Sequence, residues 1–260
     1  MFPILFQIGD FKLHAFGVMV ALGFLAGLWF ATKEARRTGL VTEAVVNDLF
    51  LWLIVGGIVG ARLLYVAIHW EKDFAEEPMR IFQIWKGGIV SVGGFFGAFF
   101  FGWIFCKKNK VRFLDLADVC MPGALLGQAI GRIGCFLVGD DYGRPAPGLP
   151  WAVTFPKNPD SLLPERWQGV PLHPTQLYML LKAFLIFLVL AWVAKRRRFA
   201  GQVLFVAMML YPIGRWICEI YRGDEAERGI WYGLSTAQWT LIPVFVLGLV
   251  QYVRGARRSA

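Results

Sequence analysis

Charged side chains make up only 17% of the 260 residues, against 57% hydrophobic and 16% aromatic. So little charge leaves more apolar surface than a water-soluble domain of this length can bury, and lipid is the expected solvent for much of the chain. Cysteine is scarce as well. Cys106, Cys120, Cys135 and Cys218 lie in or beside apolar runs without C-x-x-C spacing, which argues against a disulfide framework and a zinc site. They read as small buried hydrophobes. No metal-binding or redox-cofactor motif is present, so neither a metal nor a cofactor is expected. The first ten residues lack the basic stretch and small-residue cleavage site of a signal peptide, and the first apolar run is expected to be retained.

What the chain has in quantity is long apolar runs. A membrane-crossing helix needs roughly 20 mainly apolar residues, and 16–32, 87–106 and 230–253 each run without a formal charge. Four further runs carry isolated charges: 49–67 with Arg62, 118–137 with Arg132, 177–194 with Lys182, and 199–220 with Arg215 and Glu219. Seven transmembrane helices are therefore predicted. Glycines four apart at Gly23/Gly27, Gly56/Gly60, Gly93/Gly97 and Gly127/Gly131 mark faces where helices approach closely, although glycine is also common in membrane helices for no such reason.

Lys and Arg gather on alternate connections. Lys33, Arg36 and Arg37 form one group, Lys107, Lys108, Lys110 and Arg112 a second, Lys195 to Arg198 a third, and Arg254, Arg257 and Arg258 a fourth. These segments belong in the cytoplasm. The other connections, 69–86, 139–172 and 221–229, mix cations with Asp and Glu and face outward, giving an N-out, C-in protein. The formal net charge of +9 is thus mostly topological, and no nucleic-acid partner is expected. The outward connection 143–174 holds eight prolines with Trp151, Phe155 and Trp167, too punctuated for a long helix. Short strands such as 151–155 and aromatic packing are predicted, forming a small cap at 139–173 between helices 4 and 5. The segment 71–86 is expected as a partial helix in the membrane interface. The fold is thus read as an all-α integral membrane protein, residues 1–260 forming one membrane domain.

Chemistry is expected at the buried charges, because an ionised side chain in a spanning helix is costly unless it is paired or lines a hydrated cavity. Arg62, Arg132, Arg215 and Glu219 qualify. Arg215 and Glu219 stand i, i+4 on one helix face with Arg222 about a turn onward; the ladder fits an internal ion-pair network, or a cavity for an anionic headgroup that arginine can grip bidentately. In Gly131-Arg-Ile-Gly-Cys-Phe-Leu-Val-Gly-Asp-Asp-Tyr-Gly-Arg144 the glycines at 131, 134, 139 and 143 let the backbone turn, and Arg132, Asp140 and Arg144 come close in sequence. This is the pattern of an anion or phospholipid-headgroup site at the outer leaflet.

That run resembles the signature of the bacterial prolipoprotein diacylglyceryl transferase family, Gly-Arg-x-Gly-Asn-Phe-x-x-Gly-x-x-x-Gly-Arg, differing at Cys135. Further ordered matches are His14-Ala-Phe-Gly17, Gly60-Ala-Arg-Leu63, Trp85-Lys-Gly-Gly88, Gly93-Gly94, Asp118, Pro122, Gly127-Gln128, His173-Pro-Thr-Gln-Leu-Tyr178, Gly214-Arg215, Glu219, Arg222, Leu234-Ser235 and Gln238. The resemblance implies a multi-pass protein of the bacterial inner membrane with its active site toward the periplasmic leaflet. Its implied reaction moves the diacylglyceryl group of phosphatidylglycerol to the lipobox cysteine thiol of a preprolipoprotein, forming a thioether and releasing glycerol phosphate. Its implied partners are phosphatidylglycerol, the preprolipoprotein signal peptide and membrane lipid.

By the same resemblance Arg132, Arg215 and Glu219 are the catalytic candidates. Arg132 and Arg215 would bind or stabilise the phosphate, and Glu219 and Arg222 would orient Arg215. Gly143 would belong to the headgroup site, with Arg144, Asp140, His173 and Arg62 as further substrate-binding candidates; His173 reads equally well as a structural histidine at a helix mouth. Five positions depart from the family pattern: Phe16 for Tyr, Val92 for a catalytic His found in many members, Cys135 for Asn, Asp140 for Glu and Met179 for Glu. These replacements keep open a diverged paralogue that binds phospholipid or lipoprotein precursor without turnover, or modifies another acceptor.

Overall fold

The computed structural model describes residues 1–9, 11–75, 77–83, 87–88, 90–224 and 229–259, without the side chains of Phe11, Lys72, Asp73 and Ser91. Its elements run in the order β1 (Ile4–Ile8), β2 (Phe11–His14), α1 (Ala15–Thr38), α2 (Glu43–Ile68), α3 (Ser91–Lys108), α4 (Phe113–Val138), β3 (Val153–Thr154), β4 (Pro171–Leu172), α5 (Thr175–Ala194), α6 (Gln202–Ile220) and α7 (Thr236–Ser259). The two antiparallel hairpins, β1–β2 and β3–β4, are short, and the fold is all-α and multi-pass. Among the described residues six helices are long and apolar enough to cross a membrane: α1, α2, α4, α5, α6 and α7. The remaining expected span, 87–106, falls on α3, an 18-residue helix whose last two residues are Lys107 and Lys108; the cations in its final turn lower the apolar content of an already short helix. Ile89, within that expected span, lies outside the described residues.

The chain divides into two compact units, Met1–Glu34 with Ala117–Ala260, and Ala35–Leu116. In the larger unit, Leu125 and Ala129 of α4, Ala183, Ile186 and Leu190 of α5, and Val203 and Ala207 of α6 form a buried apolar core. Asp118 of α4 holds the entry to α6, accepting from the Arg197 Nε at 2.6 Å, the Gly201 N–H at 2.7 Å and the Leu204 N–H at 3.0 Å. The α7 entry is a capping box: Ser235 Oγ accepts from the Gln238 N–H while Gln238 Oε1 accepts from the Ser235 N–H. Within 139–173, Tyr142, Phe155, Leu163 and Leu172 are buried together with Val153, Trp167 and Val170 packed against them, and the strand expected at 151–155 shortens to Val153–Thr154 paired with Pro171–Leu172.

Within this unit α1 meets α4 through glycines. A Cβ on Gly23 would stand 2.6 Å from the Gly127 oxygen, and one on Gly123 3.3 Å from the Gly27 carbonyl carbon. The α4 ridge is therefore Gly123/Gly127 rather than the expected Gly127/Gly131; a Cβ on Gly131 would meet nothing within 4 Å. The contact with α1 continues at Gly134, where a Cβ would lie 3.2 Å from Phe16 Cα, and so follows 123, 127 and 134 while passing Gly131 by.

The smaller unit pairs α2 with α3 through the two other predicted ridges. A Cβ on Gly60 would lie 2.6 Å from Gly97 Cα and 2.9 Å from its nitrogen, and one on Gly56 2.8 Å from the Gly97 oxygen. The expected helix in 71–86 is a π-helical turn, Trp70–Phe74, and a 3-10 turn, Pro78–Phe82; Glu76, Ile84, Trp85 and Lys86 lie outside the described residues. Since backbone meets backbone at Gly60, Gly60→Val is expected to destabilise the protein by about 1–3 kcal/mol through overpacking. Gly57→Ala, whose Cβ would find its nearest neighbour at 3.9 Å, is the matched control. Thermal unfolding in detergent distinguishes them, and equal melting temperatures would refute the close-packing account.

Candidate active site

The motif that ends α4 builds a charged cluster in the larger unit. Gly139 (φ 80°) turns the chain out of the helix and Asp141 (φ 52°) stays in the left-handed region, so the chain after the turn doubles back toward the last turns of α4. There Arg132 Nη1 pairs with Asp141 Oδ2. Arg222, just past the end of α6, pairs with Asp141 Oδ1 at 2.5 Å and with Asp224. Arg215 pairs with Glu219 Oε2 at 2.9 Å, one turn apart on α6, and Glu219 is fully buried. The Arg215 charge also favours the ionised Asp141, so two guanidinium groups pair with this carboxylate and a third acts on it without pairing.

Backbone contacts fix this geometry. Gly143 forms an antiparallel bridge with Arg222, the Arg144 N–H donates to the Tyr221 oxygen at 2.9 Å and the Gly223 N–H to the Tyr142 oxygen at 3.0 Å. The crossing needs two glycines: a Cβ on Gly143 would stand 2.6 Å from His173 Cβ, and one on Gly223 2.5 Å from the Gly143 oxygen. Arg144 Nε donates to the Arg222 oxygen. At the start of α5, Thr175 Oγ1 donates to the Asp141 oxygen at 2.5 Å and Gln176 Nε2 to the Asp140 oxygen at 2.7 Å.

The sequence candidates divide accordingly. Arg132, Arg215, Glu219, Arg222, Gly143, Arg144 and Asp140 come together. His173 borders them in an aromatic group, its Nδ1 3.2 Å from the Tyr178 hydroxyl and its ring 5.0 Å from that of Tyr221. Arg62 belongs to the smaller unit, where it is buried and donates to the carbonyls of Arg80, Ile81, Gly87 and Gly88 while lying over Tyr65 and Phe74. Four of its five N–H donors are taken up by backbone carbonyls of its own chain. The bridging residue Asp141 was not singled out by sequence; two adjacent carboxylates look alike in one dimension, and the signal that separates them is the glycine-started left-handed turn.

Two of the family departures touch the arginines. Cys135 Sγ lies 3.7 Å from Arg132 Nη1 and Met179 Sδ 3.2 Å from Arg215 Nη1. Sulfur is a weak acceptor, so neither competes strongly for a guanidinium. Cys135, Asp140 and Asp141 also present a sulfur and two carboxylates within 4.8 Å of one another. Arg132 and Arg222 already neutralise Asp141 there, so a cation would have to displace two guanidinium groups.

The two carboxyls are driven in opposite directions. Burial pushes Asp140 up and the Asp141 charge adds to it, together outweighing the Asp141 N–H, Arg222 and Arg132. Burial also pushes Asp141 up, but Arg132, Arg222 and Arg215 outweigh it and hold this carboxyl below the usual range. For Arg222, burial opposes the charged form, yet Asp224 and Asp141 more than restore it. The raised Asp140 therefore costs stability as pH climbs from about 3.9, the ordinary value, and the full cost is present once pH exceeds its folded value. Asp140→Asn, which can still accept the Asp141 N–H, is expected to raise the melting temperature at pH 7 by a few degrees and to do little near pH 4. Equal destabilisation at both pH values would contradict this.

The family model of prolipoprotein diacylglyceryl transferase matches residues 3–254. A phosphatidylglycerol–prolipoprotein diacylglyceryl transferase of Geobacter sulfurreducens is 34% identical across 99% of this chain and 96% of its own length. Those of Finegoldia magna, 34% identical across 96% and 94%, and Proteus mirabilis, 31% across 99% and 92%, are similar over comparable spans. With the matched residues covering nearly the whole chain and the signature arginines gathered in one cluster, the chain belongs to the prolipoprotein diacylglyceryl transferase family.

Proposed function

We infer that the chain transfers the diacylglyceryl group of phosphatidylglycerol to the cysteine thiol of a prolipoprotein, with the Arg132–Asp141–Arg222 and Arg215–Glu219 cluster as its phosphate site. The observation that carries this reading is the pairing of Arg132 and Arg222 with Asp141 beside the Arg215–Glu219 pair of α6, together with family membership. The thiol sulfur attacks the glyceryl carbon that bears the phosphate oxygen. A C–S bond forms, the C–O bond breaks with its electron pair going to oxygen, and glycerol phosphate departs as the thiol proton is released. Charge develops on the phosphate, where preorganised guanidinium donors do most good, and the same cations favour the thiolate. Arg132 and Arg215 contact the phosphate; Glu219 orients Arg215; Asp141 orients Arg132 and Arg222; Gly143 permits the crossing that holds them.

The charge pattern of the connections supports an N-out, C-in arrangement with α3 as a seventh span and the cluster toward the periplasmic leaflet of the inner membrane. The basic connection 107–112 precedes α4 and the cluster follows it, so 26 helical residues, about 39 Å of helix, separate them. The cap 139–173 then faces the periplasm, where lipid donor and prolipoprotein signal peptide arrive from the bilayer.

The test uses purified protein, phosphatidylglycerol vesicles and a lipobox peptide, with mass spectrometry for the diacylglyceryl thioether. A mass shift on the peptide establishes the transferase. No shift over several peptides, with phosphatidylglycerol still bound, would replace this reading with that of a lipid-binding relative that has lost turnover.

A further inference from the structure

Below the arginine layer the structure holds a second polar layer that the phosphate site does not use. Gln128 stands four residues before Arg132 on α4, Tyr211 four residues before Arg215 on α6, and Lys182 three residues after Met179 on α5. Each step is about one helical turn, or roughly 5.4 Å, and on all three helices it leads away from the Asp141 end. The layer is connected. Gln128 Nε2 donates to the Tyr211 hydroxyl at 3.3 Å, and Lys182 Nζ lies 3.9 Å over the Tyr211 ring. Gly214 leaves the space for the lysine stem, since a Cβ there would lie 2.5 Å from Lys182 Cγ and 2.8 Å from Cδ.

This layer is unfinished in itself. Among the described residues no carboxylate lies within ion-pair distance of Lys182 and its ammonium makes no hydrogen bond, although Arg132 and Arg215 add like charge nearby. Apart from the Tyr211 ring face, the three N–H donors of Lys182 thus meet no acceptor in a spanning helix, where a cation without a counter-charge is costly. Gln128 Oε1 is buried and has no partner. Because the tyrosine oxygen accepts from Gln128, the Tyr211 proton is free for a further acceptor. Donors gathered one turn beneath a phosphate site match the lipid's own layout, whose ester carbonyls lie several bonds below its phosphate, about the span of one turn.

We infer that the Lys182–Tyr211 layer is the subsite for the glycerol backbone of the donor lipid, with Lys182 Nζ and the Tyr211 hydroxyl donating to its ester carbonyl oxygens. The inference rests on the phosphatidylglycerol reading above. It makes the site selective for diester over diether lipids, which have no carbonyl to receive those bonds.

The experiment compares diester and diether phosphatidylglycerol of equal chain length in mixed micelles. It measures transfer rate and half-saturating lipid for wild type, Lys182→Met and Tyr211→Phe, and retention of each lipid by native mass spectrometry. Wild type is expected to favour the diester by about tenfold, the effect of roughly one net hydrogen bond. Both variants lose that preference by falling to the diether level on the diester, with their diether rate and half-saturating peptide unchanged. A wild type indifferent to the linkage, or a Lys182→Met and Tyr211→Phe pair that keeps the preference, overturns the inference; if the lysine variant does not fold, Tyr211→Phe decides. Should wild type transfer neither lipid, the function proposed above fails, and selective retention of the diester by wild type but not by the variants still decides the subsite.

Discussion

Arg132→Ala is expected to lower transfer by about 10²–10³-fold or more, the loss seen when one preorganised donor is taken from a developing anion. The guanidinium does two things at once. It holds Asp141 from the last turns of α4, and its remaining N–H groups are available to a phosphate because their other neighbour is the weak acceptor Cys135. Removal therefore takes a phosphate contact and leaves Asp141 to Arg222. Arg132→Lys keeps the charge without the fork geometry and is expected to recover only part of the rate. Val92→His serves as the contrast: Val92 is a half-exposed side chain of the smaller unit, and placing histidine there is expected to leave transfer intact. Peptide mass spectrometry with phosphatidylglycerol vesicles reads all three, and full activity in Arg132→Ala would remove Arg132 from the phosphate site.

Much of this was legible in one dimension because the bilayer imposes strict rules. Apolar length located six spanning helices, two from runs free of charge and four from runs with isolated charges, and those isolated charges pointed to Arg132, Arg215 and Glu219, since few reasons justify an ion there. The glycine spacing gave the α2–α3 contact at Gly56/Gly60 and Gly93/Gly97. It misplaced the α4 ridge by a turn, because Gly123, Gly127 and Gly131 repeat at the same interval and only packing against α1 selects two of them. Arg62 looked like the other buried arginines, but its partners are carbonyls, and carbonyls leave no mark in a sequence. Lys182 was visible as a charge inside a span. Its meaning lay in Tyr211 and Gln128, on two other helices, and only the packing of α4, α5 and α6 brings them together.

Asp141→Asn carries the other large expected effect, and its neighbour supplies the control. Asparagine keeps the size and the backbone bonds of Asp141 but removes the charge that Arg132 and Arg222 share. Breaking a buried pair from one side typically costs about 3–5 kcal/mol, because the partner's charge stays buried; here Arg132 and Asp141 are only partly buried and Asp224 retains Arg222, so the loss falls chiefly on Arg132 and less than that range is expected. Transfer is expected to fall with it, since an arginine no longer held at the end of α4 is displaced from the phosphate. The sign in pH follows from the lowered carboxyl of Asp141. Its stabilisation is fully present above about pH 3.9, the ordinary value, and is lost only as pH falls through the depressed folded value. Wild type should therefore exceed Asp141→Asn in melting temperature throughout pH 5–8, the two converging only under strong acid, whereas Asp140→Asn, one residue away, moves stability the opposite way at pH 7. An Asp141→Asn protein with unchanged melting temperature and transfer would mean that the guanidinium groups are held by something other than this carboxylate, and the cluster would have to be rebuilt around Glu219 and Asp224.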